Sequence, residues 1–340
     1  MKVFLQGFPQ LQLVFCLFFD FESHVSFTTH PFFGMSVIRL GLEWFLNPDH
    51  APFILAQEKG WLKEFGLSLE LIEPKAHLDA IEAIEQGTLD VAITEPIHLV
   101  IDAAKGKPIL GFARFLHTNG GVMYLKNKGI SRPCDMAGKR VQYPGAPAPS
   151  GLEIVRTMIE ADGGQANATL IPVNNGFYHT DALAEDKADV ATVVFYNFEI
   201  IEARHRGLDV DFFALKDWGV PDFCQLILVT SPKILASREA DLRALIRVLR
   251  RSIDFIYQHP DETKLIYLNR VGIALDDTLN NAIYDATVPC FTFDFTLAAE
   301  YLESLQAWLY RTGQILARPD MSSYWTNRFA VGDVLSFAKL

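Results

Sequence analysis

Four side chains that could read a flat ring sit close together near the start of the chain. The segment Leu42-Glu43-Trp44-Phe45-Leu46-Asn47-Pro48-Asp49-His50-Ala51-Pro52 carries an indole, an amide, a carboxylate and an imidazole. A heteroaromatic ligand needs that mixture: a face to stack on, and in-plane donors and acceptors to read its edge. Trp44, Asn47, Asp49 and His50 are therefore candidate ligand contacts, and Asp49 has a second reading as the N-cap of a helix starting near Ala51. Further on, Tyr143-Pro144-Gly145-Ala146-Pro147-Ala148-Pro149-Ser150-Gly151 leads into a helix. Backbone N–H groups at such a start attract an anion, although the prolines at 144, 147 and 149 remove three donors. Tyr143 and Gly145 are the candidates there, with a plain turn as the alternative. Phe195-Tyr196-Asn197-Phe198-Glu199 supplies Tyr196 to stack and Glu199 to accept two N–H bonds; a solvated helix face shared with Glu202 is the other reading of Glu199. His98, at a helix start after Pro96, is a structural, ligand-contacting or reacting imidazole.

The elements that must position these groups alternate. Short β-rich runs at 37–43, 67–73, 89–93 and 109–115 are separated by amphipathic segments at 51–64, 77–86 and 96–105, which is α/β winding around a largely parallel sheet. A second cycle follows, with strands 139–143, 168–173 and 189–194 and helices 152–162, 180–186 and 196–206. The strands Val122–Lys126 and Cys224–Thr230 bracket this insert as a hinge would, and 238–340 reads as helical. The expected organisation is discontinuous: lobe I from 36–122 and 226–325, lobe II from 123–225, and a tail at 326–340. Ligand groups belong in the cleft beyond the carboxyl ends of the strands.

Composition narrows the function. With 340 residues, half of them hydrophobic, and a net charge of -11, the chain can build two cores but offers nucleic acid or an anionic membrane no basic surface. Cys16, Cys134, Cys224 and Cys290 are too scattered to read as a zinc site or a disulfide framework. No Walker loop, GxSxG elbow, HExxH pair or dinucleotide fingerprint is present. Residues 1–34 are foreign to the α/β pattern: the apolar run Val3–Phe19 is too short and broken to span a membrane, and it lacks the basic start and cleavage site of an export signal. Met35 directly precedes the first strand, so the native chain is expected to begin there, with 1–34 a leader outside the fold. A start at Met35 means a cytoplasmic protein; an exported leader means a periplasmic one.

The run Leu42-x-Trp44-x-x-Asn47-Pro48-x-His50-x-Pro52, continued by Ile54-Leu55-Ala56-Gln57-Glu58-Lys59-Gly60-Trp61 and Glu64-Phe65-Gly66-Leu67, resembles the thiamine pyrimidine synthase and pyrimidine-precursor-binding family, the SsuA/THI5-like branch of the type II periplasmic-binding-protein superfamily. Gly87-x-x-Asp90, Leu125-Lys126, Ala137-Gly138-Lys139-Arg140-Val141 and Asp189-Val190 extend the resemblance over nearly all of 36–315. It implies a two-lobed fold with a hinge and a ligand cleft. Extracytoplasmic members deliver aminopyrimidines to an ABC permease, whereas cytoplasmic eukaryotic members make the pyrimidine from pyridoxal phosphate and one of their own histidines, with iron. Here the histidine position is His98, but the position of the cofactor lysine is Thr94, which cannot form a Schiff base. The cysteine run is reduced to Cys224 in Pro221-Asp222-Phe223-Cys224-Gln225. The expectation is a binding protein for an aminopyrimidine with no cofactor and no metal; the alternative is a synthase using His98, pyridoxal phosphate and iron.

Overall fold

Apolar runs bounded by turn residues build the strands of the first sheet. β1 (Ser36–Gly41), α1 (Ala51–Glu58), β2 (Leu67–Ile72), α2 (Ala80–Glu85), β3 (Val91–Thr94), α3 (Pro96–Ala104) and β4 (Leu110–His117) follow in order. The chain then enters a second sheet through β5 (Gly120–Leu125), β6 (Arg140–Gln142), α4 (Ser150–Ala161), β7 (Ile171–Val173), α5 (His179–Ala184), β8 (Val190–Phe195), α6 (Glu199–His205) and β9 (Val210–Ala214). It returns by β10 (Gln225–Thr230), and α7 (Pro232–Ser237), α8 (Glu239–Gln258), α9 (Pro260–Val271), α10 (Thr278–Thr287) and α11 (Ala299–Arg311) follow. This computed structural model describes residues 35–74, 80–145 and 149–330. The expectations for the leader 1–34, for Cys16, for 146–148 and for 331–340 lie outside the described residues.

The two sheets share one plan. The first has the order β2-β1-β3-β10-β4 and the second β7-β6-β8-β5-β9. In each, three parallel strands meet an antiparallel one, β10 beside β3 and β5 beside β8. The central β3, Val91–Thr94, is a continuous apolar run buried throughout because both of its faces are covered, whereas the edge strands β2 and β7 are partly exposed. Matching salt-bridged aspartates fasten β1 to β3 and β6 to β8: Arg39 grips Asp90, and Arg140 grips Asp189.

Several boundaries move. The expected helix 51–64 ends at Glu58, since Gly60 and Gly66 adopt left-handed φ of 66° and 68° and enclose a separate 3-10 turn, Trp61–Phe65. The helix expected at 196–206 begins only at Glu199. β9 was not anticipated; it completes the second sheet as an edge strand on β5. β5 lies wholly in the second sheet from Gly120, before the boundary drawn at 122–123, and the tail is not detached at 326: Phe329 packs edge-on against Phe112.

The two crossings run side by side. His117 Nε2 lies 3.0 Å from Asp222 Oδ2, and the Thr118 N–H donates to the Cys224 carbonyl at 3.1 Å. A Cβ on Gly120 would fall 1.8 Å from Cys224 Sγ, so only glycine lets the strands approach this closely. Beside the return crossing, where its ring stacks with Phe223, Trp308 on α11 donates from Nε1 to Thr157 Oγ1 on α4 at 3.0 Å. Cys134, Cys224 and Cys290 are free. Among the described residues, no helix is long and apolar enough to cross a membrane.

Candidate ligand-binding cleft

A cavity of about 130 Å³ opens where the carboxyl ends of both sets of parallel strands converge. The first sheet contributes Leu42, Glu43, Trp44 and Asp49 after β1, and Thr94, Glu95 and His98 around the β3–α3 junction. The second contributes Tyr143, Ser150 and Gly151 between β6 and α4, Phe177 and His179 before and in α5, and Val193, Phe195 and Glu199 along β8 and α6. This is the location that strand topology assigns to a ligand.

The loop after β1 is held by its own hydrogen bonds. Asn47 is the N-cap of the 3-10 turn Pro48–His50: its Oδ1 accepts from the Asp49 N–H at 2.8 Å, and its own N–H donates to His50 Nδ1 at 3.1 Å. An amide N–H can only donate, so His50 Nδ1 accepts and the ring proton sits on Nε2, 3.1 Å from both Glu43 oxygens. Two expectations are corrected here. Asn47 and His50 are buried and do not line the cavity; they brace Glu43 and Asp49, which do. Asp49 is not the cap of α1: His50 holds that position with no side-chain cap bond, and Asn47 caps the 3-10 turn that runs into the helix. Burial, helped by the nearby Glu43, pushes the Asp49 carboxyl up to about 7. Asn197 Nδ2 of the second lobe reaches across to Asp49 Oδ1 at 3.0 Å and also to Thr287 Oγ1 at 2.8 Å. Trp44 packs against Phe45 and, from the other lobe, Phe198 and Phe177.

On the opposite wall, Glu199 is buried and its Oε2 accepts the Phe195 N–H at 2.9 Å. Desolvation pushes its carboxyl up to about 8. His179 Nε2 stands 4.0 Å from Glu199 Oε1, too far for a hydrogen bond, and burial lowers its imidazole to about 4, so the ring is neutral. Tyr143 is buried under the first turn of α4, where a Cβ on Gly151 would meet its ring at 2.2 Å. The α4 N-terminus has no side-chain cap, and Ser150 and Gly151 face the cavity. Gly145 does not line it; its φ of 79° makes the turn that precedes α4. Tyr196 is also displaced: it is 39% exposed, lies edge-on to Phe212 and is outside the cavity, where Phe195 takes the expected aromatic position. Glu43 and Phe195 lie in segments the sequence marks, and Phe177 and His179 lie in 174–180 at the end of the next strand, where second-lobe ligand groups belong, but none is a preferred contact there; Val193 carries no signal of its own.

A family model described as NMT1/THI5 like matches residues 47–263. The chain belongs to that family. A formylaminopyrimidine-binding protein of Halalkalibacterium halodurans is 25% identical over 236 residues, covering 69% of this chain and 71% of its own length. A 4-amino-5-hydroxymethyl-2-methylpyrimidine phosphate synthase of Legionella pneumophila is 26% identical over 298 residues, covering 86% of this chain and 92% of its own. Among solved structures, the alkanesulfonate-binding protein SsuA of Xanthomonas axonopodis pv. citri, bound to MOPS, superposes with a TM-score of 0.67 at 13% identity over 86% of this chain and 98% of its own. The fold of this NMT1/THI5-like chain is accordingly the two-lobed periplasmic-binding-protein fold.

The synthases among these relatives raise the question of pyridoxal phosphate and iron. Among the described residues of this NMT1/THI5-like chain no lysine lines the cavity, and Thr94 Oγ1 lies 3.0 Å from His98 Nδ1 at the position where the resemblance to the synthases implies an amine. Among the described residues, no group of three or more His, Cys, Asp or Glu side chains is arranged to hold a metal ion. Among the described residues, the cleft offers that cofactor pair neither a lysine amine nor a ready cluster of metal ligands. His98, with 40% of its side chain accessible, is also 3.0 Å from Glu95 Oε2; burial opposes its protonation, but Glu95 outweighs that and raises its pKa.

Proposed function

We propose that the cleft binds an aminopyrimidine precursor of thiamine, and that the chain serves as the substrate-binding component of an ABC-type uptake or salvage system. One observation carries this reading: Asp49 from the first lobe and Glu199 from the second are both buried and both front the same aromatic-walled cavity. Carboxyls raised to about 7 and about 8 can each donate or accept a hydrogen bond at neutral pH. An aminopyrimidine edge alternates N–H donors with ring-nitrogen acceptors, so such groups match it in either sense. Trp44, Phe177 and Phe195 offer faces for the ring, and the uncapped start of α4 suits a polar or anionic substituent. A ligand touching both lobes stabilises the arrangement that brings them together, and no covalent step is required. The name of the Halalkalibacterium relative supports the same ligand class.

Titration calorimetry with 4-amino-5-hydroxymethyl-2-methylpyrimidine and its formylamino counterpart should give micromolar or tighter binding to at least one. Absence of heat with both would refute the reading. A second reading, pyrimidine synthesis, is favoured by the position of His98 in the cavity and disfavoured by Thr94. Incubation with pyridoxal phosphate, iron and oxygen tests it: pyrimidine product that vanishes in His98→Asn, with mass lost at His98, would replace the binding role.

A further inference from the structure

β8 breaks the alternation of a strand at the point where it meets the cleft. Its partner β5 pairs Tyr124 with Val190, Met123 with Ala191, Gly121 with Val194 and Gly120 with Phe195, leaving Thr192 and Val193 together opposite Val122. Two residues opposite one is a β-bulge. Val193 takes a φ of 62°, a left-handed conformation that a β-branched residue adopts only under constraint.

The bulge changes what the strand presents. Val190 belongs to the large core cluster and Ala191 to the smaller cluster on the other face. Strict alternation would send Thr192 to the first side and Val193 to the second. Instead Val193 packs against the large cluster, Val194 lies in the smaller one, and Phe195 is back in the large one. A one-residue shift flips every later side chain, and here it turns Val193 and Phe195 into the cavity. The same shift explains why Tyr196 faces outward.

A glycine would make this bulge without steric cost, so the retained isopropyl group calls for a reason at the site. We infer that Val193 is a specificity determinant: the Thr192–Val193 bulge holds its isopropyl group as an apolar wall against a small apolar substituent of the ligand ring, the methyl group in a methylpyrimidine. The ligand half of this inference rests on the function proposed above; the backbone half does not.

Val193→Ala and Val193→Gly separate the two. Both remove the isopropyl group. Wild type should prefer 4-amino-5-hydroxymethyl-2-methylpyrimidine over its analogue lacking the 2-methyl group by about tenfold, and both variants should fall to about twofold or less. Without ligand, the glycine variant should melt about 2 °C above the alanine variant, reversing the order seen at ordinary strand positions. An alanine variant that melts higher would overturn the constrained backbone. Full discrimination retained in both variants would overturn the specificity role. A wild type that binds neither pyrimidine would overturn the ligand contact together with the proposed function, while the melting order would still decide the backbone claim.

Discussion

The two walls of the cleft are built by different rules. In the loop 42–50 the polar groups satisfy one another: Asn47 caps the turn, His50 bridges the Asn47 N–H and Glu43, and the unpartnered buried atom is Trp44 Nε1. On the opposite side, Thr192 Oγ1, Asn197 Oδ1 and His179 Nδ1 are all buried without a partner; of these residues His179 lines the cavity, and Glu199 beside it is held as a desolvated carboxyl. A buried polar atom left unpaired costs stability, so the second wall carries its cost in advance of binding. The first wall is a braced platform; the second holds His179 and Glu199 at the cavity with hydrogen-bonding capacity for a ligand to fill.

If that contrast is right, substitutions in the second wall should act on affinity and those in the brace on stability. Glu199→Ala should weaken pyrimidine binding about a hundredfold, as expected for loss of a buried hydrogen-bonding carboxyl, with little loss of thermal stability. Trp44→Ala, the ligand-facing exception in the platform, should weaken it about tenfold by calorimetry. The pH dependence comes next. Glu199 has a folded value of about 8 against an ordinary 4.5, so the folded chain keeps a proton that the unfolded chain releases. The stability tied to that proton is complete below pH 4.5 and is lost as the pH rises towards about 8. Glu199→Gln keeps the neutral form, so its melting point relative to wild type at the same pH should climb across that window and then level off. A difference that stays flat would mean the carboxyl is not desolvated. The smallest effect is expected for Asn47→Ala: about 1 kcal/mol of stability through the lost cap, and less than about threefold in affinity. Affinity falling as far as in Glu199→Ala would erase the contrast between the walls.

The same contrast decided what could be read beforehand. The platform is local in sequence, so the concentration of Trp44, Asn47, Asp49 and His50 marked the right loop, although not which side chains brace and which face the ligand. That division depends on a 3-10 turn, capped by Asn47, standing before the helix, so that Asp49 lies inside the turn and not at the helix start. The second wall is set by tertiary register. Glu199 was legible as a carboxylate at a strand's end, whereas the place of Phe195 in the cavity instead of Tyr196 was not, because nothing in Val190-Ala191-Thr192-Val193-Val194 signals a bulge, least of all with valine in the left-handed position. The alternation of strands and helices revealed both lobes but missed β9, an edge strand whose Val210-Asp211-Phe212-Phe213-Ala214 has no clean period of two.

The hydrogen bond from Trp308 to Thr157 gives the molecule its own optical gauge. The indole is buried and tied to a helix of the opposite lobe, so any separation of α4 from α11 would wet it and move its emission to longer wavelength. Trp61, packed against Phe255 and covered by Arg251 of α8, sits far along the chain from the crossings and within a single lobe, and would keep its colour as an internal standard. With Trp44, Trp218 and Trp325 replaced by phenylalanine, a separation of the lobes could therefore be followed in solution without attaching a label.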